Sequence, residues 1–444
     1  MTDRLAINGG KRAVPEGLVK SWPVITQQDK DMVMQVLESG ILSGVFASQT
    51  KALQQEFADY LGSKYCITVN SGTAALHIAV AAAGVGPGDE VITSAFSFLA
   101  TATAVMHHGG IPVFVDIDPK TCCIDPNKIE EKISENTKAI IPVHIQGLPA
   151  DLDEILEIGC KHDLVVIEDT AQAPGATYKG KKVGTWGDMG AFSLNETKNF
   201  CAGEGGMFVT DDEEYHLRAD MVRMFGEVVK EKAHRNYVAY TMGWNYRTQE
   251  LPAAFARSQL RRLDEFNENS RRNAEFLSSA LEEIDGIEPP YAPDDRTCIY
   301  HKYRVRLHPE ALSFDIEPTE FRGKVFRAFS AEGMPVTLWQ TFPLPATPLF
   351  QRKEGYGKGF PWSFPGARSI DYHAEEYPET VKLLDSSMVI GSERYPLFPQ
   401  ELKLVEYWIE AIRKVFAQLD EVVETVELPK DQGFSLGELE VSHG

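Results

Sequence analysis

Three short stretches of the sequence carry side chains able to do chemistry. "NSGT", at 70–73, lies between an apolar run and an alanine-rich one, so Ser71, Gly72 and Thr73 stand where a strand turns into a helix. Free backbone N–H groups at a helix start attract anions, and a glycine lets a phosphate come close. Ser71 or Thr73 equally suits a helix N-cap. "VVIEDTAQA", at 165–173, ends an apolar run on Glu168 and Asp169. A carboxylate at the end of a buried strand is costly unless paired, and a cationic ring nitrogen would pair with it. A cap on the next segment is the other reading of Asp169. "SLNETKNFCAGEGGMFV", at 193–209, sets Lys198 ahead of a glycine-rich turn and a further strand. A lysine amine reacts only when deprotonated or condensed with a carbonyl, which calls for partly desolvated surroundings. Alone, Lys198 also reads as a solvated loop residue. In this order, with the lysine 29 residues beyond Asp169, the three stretches form a far more specific pattern than any one of them.

Such residues need a scaffold to hold them. Residues 27–61 have apolar positions at helical spacing and read as helix. Strand-like and helix-like runs then alternate: "YCITV", "TAALHIAVAA", "EVITS", "LATATAVMHH", "IPVFV", "DPNKIEEKIS", "KAIIPV", "DLDEILEIGCKHD" and "LVVIED". That alternation predicts βαβ units wound into a mainly parallel sheet covered on both faces. Ligands gather at the carboxyl ends of such strands, which picks out residues 71–73, 97–98, 144–147 and 169–172. Past residue 265 the character changes. A long polar helix, a strand in "YHKYRVRLH", a helix over 318–331 and an amphipathic C-terminal helix predict a smaller α+β domain. The expected division is an N-terminal arm (1–26), a large α/β domain (27–265), a small domain (266–428) with a Pro/aromatic insertion (341–378), and a loose tail (429–444).

The whole composition narrows the function. The 444 residues suffice for two or three packed units, and 43% hydrophobic with 25% charged content is that of a globular chain. A net charge of −21 argues against nucleic acid as a partner, while leaving room for a local positive pocket. The six cysteines have no metal spacing, so reduced thiols and no metal site are expected. The N-terminal residues have no apolar core of a signal peptide, and no run is long enough to cross a bilayer, so a cytoplasmic protein is expected.

From about residue 20 to 260 the chain resembles the sugar aminotransferases of the DegT–StrS type. The likeness rests on "SGTAALHIAVAAAGVGPGDEVI", "FSFLATATAV", "GGIPVFVDIDPKT", "PVHIQGLPADLD", "VIEDTAQAPGA", "FSLNETKNFCAGEGG" and "GWNYRTQELPAAFARSQL". It implies the aspartate-aminotransferase-like α/β fold (fold type I, a three-layer sandwich) and pyridoxal 5′-phosphate as cofactor. By the same resemblance Lys198 would form the Schiff base and move the proton, and Asp169 would pair with the ring nitrogen. Gln172 would sit beside the ring and Phe98 would stack on it. Gly72, Thr73 and Ser193 would hold the phosphate, while Asn245 would reach a phosphate in a neighbouring subunit, which implies a homodimer. Tyr246 and Arg247 flank Asn245. The implied reaction moves an amino group from glutamate or glutamine to a keto sugar or keto cyclitol.

Leu194 and Asn195 depart from the aromatic and histidine that many relatives carry there. Relatives acting on cyclitols or aromatic-amine precursors share that departure. Dehydratases of the family carry histidine in place of the lysine, so Lys198 favours transamination over elimination; a non-catalytic cofactor-binding regulator is the third reading. Trp339, Trp362, Tyr372 and His373 are expected to line an acceptor cleft or to stiffen the insertion. Arg394 suits a donor carboxylate, a substrate phosphate or an ordinary ion pair.

Overall fold

A computed structural model describes residues 4–44, 46–231 and 234–429. Seven apolar strands form its central sheet: β1 (Tyr65–Val69), β2 (Glu90–Ser94), β3 (Ile111–Val115), β4 (Thr137–Ile141), β5 (Val165–Asp169), β6 (Met189–Ser193) and β7 (Gly206–Thr210). Their spatial order is β1-β7-β6-β5-β4-β2-β3. Neighbours from β6 to β3 run parallel, and β7 runs antiparallel to both β1 and β6. Alternate residues of a strand serve opposite faces. Ala139, Ile141 and Ile167 enter the core on one side, while Ile140 and Val166 enter the core on the other. Burial on both faces is why these strands are apolar throughout, and it confirms the covered α/β sheet expected from the sequence.

The helical reading of residues 27–61 resolves into two helices, α1 (Gln27–Ser39) and α2 (Ser48–Leu61). Gly40 ends α1 in the left-handed region, at φ 68°, where its N–H caps Leu37 O. Helix α3 (Gly72–Ala82) is buried on nearly every side, which its alanines permit. The expected helix at 125–134 is instead two 3-10 turns, Pro126–Lys128 and Glu130–Lys132. Beyond Pro126, only Ile129 in that stretch is deeply buried, so no apolar stripe exists to hold a full helix.

A second, antiparallel sheet follows: β8 (Ile287–Glu288), β9 (Tyr303–Leu307), β10 (Val336–Thr337) and β11 (Ser387–Ile390), in the order β8-β9-β11-β10. Its core gathers Tyr303, Phe321, Phe329 and Trp408 from the sheet and from helices Pro318–Ala331 and Leu402–Phe416. Leu5 and Val14, from the N-terminal segment, complete the same core. That segment is clipped in place by Glu332, whose carboxylate accepts the N–H of Ala6 at 2.8 Å and of Ala13 at 2.9 Å. Lys414 Nζ lies 2.9 Å from the same carboxylate. The expected tail at 429–444 lies outside the described residues from 430 onward. Among the described residues no helix is long and apolar enough to cross a membrane.

Glu332 is fully buried, so removing it leaves two amides without an acceptor and takes the counter-charge from Lys414. Glu332→Ala should lower the unfolding free energy by about 3–5 kcal/mol, read as a shift of the urea midpoint.

Candidate active site

The carboxyl ends of β1, β5 and β6 open onto one cavity of about 400 Å³. It brings together Gly72, Thr73, Phe98, Asp169, Gln172, Ser193 and Lys198. Asn245 lies outside this cavity; it bridges Met224, and its side chain accepts a hydrogen bond from Arg247 Nε at 2.9 Å. Residues 144–147 stand one layer back. There the Gln146 N–H donates to Gln172 Oε1 at 2.9 Å and so sets the Gln172 side chain facing the cavity.

The two adjacent carboxylates of β5 point to opposite faces and meet different surroundings. Glu168 is fully buried and accepts from Gly184 N (2.7 Å), Trp186 N (2.6 Å), Gly187 N (2.8 Å) and His144 Nε2 (2.9 Å). His144 Nδ1 accepts the Ala150 N–H at 3.1 Å, so the ring proton is on Nε2. Burial works to raise the Glu168 carboxyl, but the bonds from His144 and the backbone amides prevail and hold it below its ordinary value. Asp169 accepts only from Thr101 Oγ1 (2.7 Å) and Ala171 N (3.1 Å). There burial prevails and pushes the carboxyl up, despite those two donors. A carboxylate has about four acceptor positions. Glu168 has filled its set with structural partners, whereas Asp169 keeps capacity toward the cavity.

Helix α3 starts at the cavity floor. Ser71 caps it, its Oγ accepting the Ala74 N–H at 3.0 Å. Gly72 is pressed against β6: a Cβ there would stand 2.7 Å from Ser193 Cβ. A Cβ on Gly206 would come within 2.3 Å of Ser71 O. Two glycines thus let three backbone segments converge on one helix start, which suits a phosphate. Ser193 Oγ accepts from Asn195 N at 3.3 Å, leaving its own proton to donate.

Lys198 is set by a tightly wired loop. Its N–H donates to Asn195 O at 3.0 Å, and Leu194 and Glu196 donate to Gly205 and Gly203 carbonyls, both at 2.8 Å. Trp22 Nε1 donates to Glu196 O at 2.7 Å, while its ring packs edge-on against Phe266 and Phe398. Next to the lysine, Asn199 Nδ2 donates to Asn267 Oδ1 (3.1 Å), Asn267 Nδ2 to Pro174 O (2.8 Å), and His301 Nδ1 pairs with Asn199 Oδ1 (3.0 Å). Burial, and then the positive charge of Lys302, bring the Lys198 amine down to about 8.

His301, Lys302 and Glu393 complete the wall and escaped the sequence reading. They come from just before β9 and just after β11, where a rule built on parallel strands has no purchase; the His-Lys pair ahead of a strand was the available signal. Of the aromatics expected to line an acceptor cleft or stiffen the insertion, Trp339 alone lines this cavity. Trp362 and Tyr372 belong to the core of the insertion with Phe114 and Phe350. There Trp362 Nε1 donates to Tyr372 Oη (2.9 Å), which donates to Pro112 O (2.8 Å). His373 and Arg394 also lie outside the cavity. No group of His, Cys, Asp and Glu able to hold a metal occurs among the described residues.

Residues 23–374 match the family model of the DegT/DnrJ/EryC1/StrS aminotransferase family. The chain is 38% identical to the L-glutamine:scyllo-inosose aminotransferase of Streptomyces griseus, over 79% of this chain and 84% of that protein. It is 36% identical to the spore coat polysaccharide biosynthesis protein SpsC of Bacillus subtilis, over 78% of this chain and 88% of that one. Among solved structures, 3-amino-5-hydroxybenzoic acid synthase superposes with a TM-score of 0.79 at 27% identity, covering 91% of this chain and all 100% of that one.

In the cofactor-free protein, competitive amine labelling read by mass spectrometry should titrate Lys198 near pH 8, well below the surface lysines. Removing the neighbouring charge with Lys302→Met should move that midpoint upward.

Proposed function

The chain belongs to the DegT/DnrJ/EryC1/StrS aminotransferase family, and from that premise we propose that it is a pyridoxal-phosphate enzyme moving an amino group from glutamine or glutamate to a keto cyclitol. The observation that carries this reading is the pairing of an under-satisfied buried Asp169 with a lowered Lys198 amine across one cavity. The alignment with a scyllo-inosose aminotransferase, and the departure at Leu194 and Asn195, favour a cyclitol over a nucleotide sugar.

The residues present fit the cofactor. Asp169 has acceptor capacity left for a ring N–H. Gly72, Thr73 and Ser193 would hold the phosphate, Gln172 and Phe98 would sit beside the ring, and Lys198 would meet the aldehyde; all six line the one cavity. Pyridoxal phosphate supplies an aldehyde carbon and an electron-withdrawing ring. The chain supplies the rest. The charge of Asp169 would keep a ring proton in place, and Thr101 Oγ1 donates to that carboxylate. Lys198 Nζ, as a free amine, would take the proton from the α-carbon of the donor. The wired loop at 194–205 holds the amine on that line.

A homodimer with shared sites belongs to the same reading. Tyr237, Tyr240 and Met242 are 73%, 64% and 73% exposed, an apolar surface that asks for cover. Asn245 follows on the same segment and would reach the phosphate held by a second copy.

Borohydride reduction of the holoenzyme followed by peptide mapping should place the pyridoxyl adduct on Lys198. Enzyme supplied with glutamine should aminate a scyllo-inosose-type ketone with the amine conserved, and Lys198→Ala should abolish the transfer; persistence of transfer in that variant would end the proposal. Asp169→Asn should slow transfer by about 10²–10³-fold with its melting temperature held, whereas Glu168→Gln should lower the melting temperature.

A further inference from the structure

The function just proposed gives one cavity two tasks of unlike charge. An amino donor brings a carboxylate, and a keto cyclitol brings none. A buried ammonium suited to the first would be stranded by the second, at high cost. Among the described residues the cavity wall holds two ammonium groups, Lys198 and Lys302. Lys198 is assigned to the aldehyde, so Lys302 is left to meet a carboxylate.

Its surroundings are unequal. Lys302 Nζ stands 3.2 Å from Glu393 Oε1, yet the Lys302 side chain is 8% exposed and that of Glu393 is 45% exposed. The Trp339 ring, with its centroid 5.2 Å from Nζ, also faces the ammonium. The cation is therefore fixed in the wall while its anion arrives from the open side. Glu393 sits on a turn after β11 where Ser392 and Tyr395 exchange backbone hydrogen bonds at 3.2 Å. The turn is fixed, and a rotation of the Glu393 side chain leaves the backbone undisturbed. Both members of the pair line the cavity.

We propose that Lys302 and Glu393 form a charge-exchange switch, in which Lys302 binds the α-carboxylate of the amino donor while Glu393 swings toward solvent, and Glu393 returns to Lys302 when the uncharged ketone occupies the cavity. One carboxylate replaces another on the same ammonium, so the buried charge stays paired in both halves of the reaction. A single pocket then accepts a charged and an uncharged substrate without a standing penalty against either. The inference rests on the reading of donor and acceptor given above.

The test uses glutaramate, the glutamine skeleton without its amine, titrated into holoenzyme by calorimetry. Lys302→Met should weaken its binding by about tenfold, and Lys302→Arg should keep most of it. Glu393→Gln should tighten it by about threefold, since the internal competitor is gone. Unchanged affinity in Lys302→Met, or weaker binding in Glu393→Gln, overturns the switch. Glutaramate does not react, so this outcome is independent of amine transfer; failure of every ketone to accept an amine would count against the proposed function while leaving the titration to judge the carboxylate site.

Discussion

The site is organised by the difficulty of keeping a carboxylate at the inner end of a buried strand. Glu168 and Asp169 are consecutive, and the pleat turns them to opposite faces. On one side three amides and a histidine close around Glu168 until nothing more can bind. On the other, Thr101 and one amide leave Asp169 short of partners. The sheet thus stores an unsatisfied anion at its carboxyl edge, and the cavity is the one direction from which a cation can meet it. Both residues look alike in sequence; the donors around them make one structural and the other available.

The lysine opposite depends on parts of the chain far from it. Its loop is anchored by Trp22 from the N-terminal segment, and its charge is tuned by Lys302 from the second sheet unit. The N-terminal segment in turn is held by Glu332, within the core of that same second unit. A reactive amine needs low polarity and a nearby like charge, and neither is available within a surface loop alone. Assembly of the smaller unit onto the sheet therefore lowers the basicity of the Lys198 amine and supplies His301, Lys302 and Glu393 to the cavity wall.

The elements legible in the sequence are those whose burial is uniform. Strands β1 to β5 read as apolar runs because both faces are covered, and helix Pro318–Ala331 fell where its periodicity placed it. The pattern joining Gly72, Asp169 and Lys198 was readable because strand ends deliver ligand-facing residues at regular intervals. Other features depended on contacts distant in sequence. The break at Gly40 hid within a continuous helical periodicity, and the segment at 125–134 had helical composition without a stripe to bury. Trp362 and Tyr372 looked like a binding surface, but an aromatic-rich insertion must first build a core of its own. His301, Lys302 and Glu393 lie beside short antiparallel strands, where no local periodicity marks a residue as facing a cavity.

The chain of side chains behind Lys198 has a direction. The Pro174 carbonyl can only accept, so Asn267 must present its amide nitrogen there and its oxygen to Asn199. Asn199 then offers oxygen to His301, which must carry its hydrogen on Nδ1. Burial and the neighbouring ammonium groups keep the ring neutral, well below its ordinary titration range. Nε2 is left as a bare lone pair, without a partner among the described residues. A peptide carbonyl three hydrogen bonds away has thereby fixed the tautomer of an imidazole that shares the cavity wall with Lys198: whatever settles against that nitrogen must bring its own hydrogen.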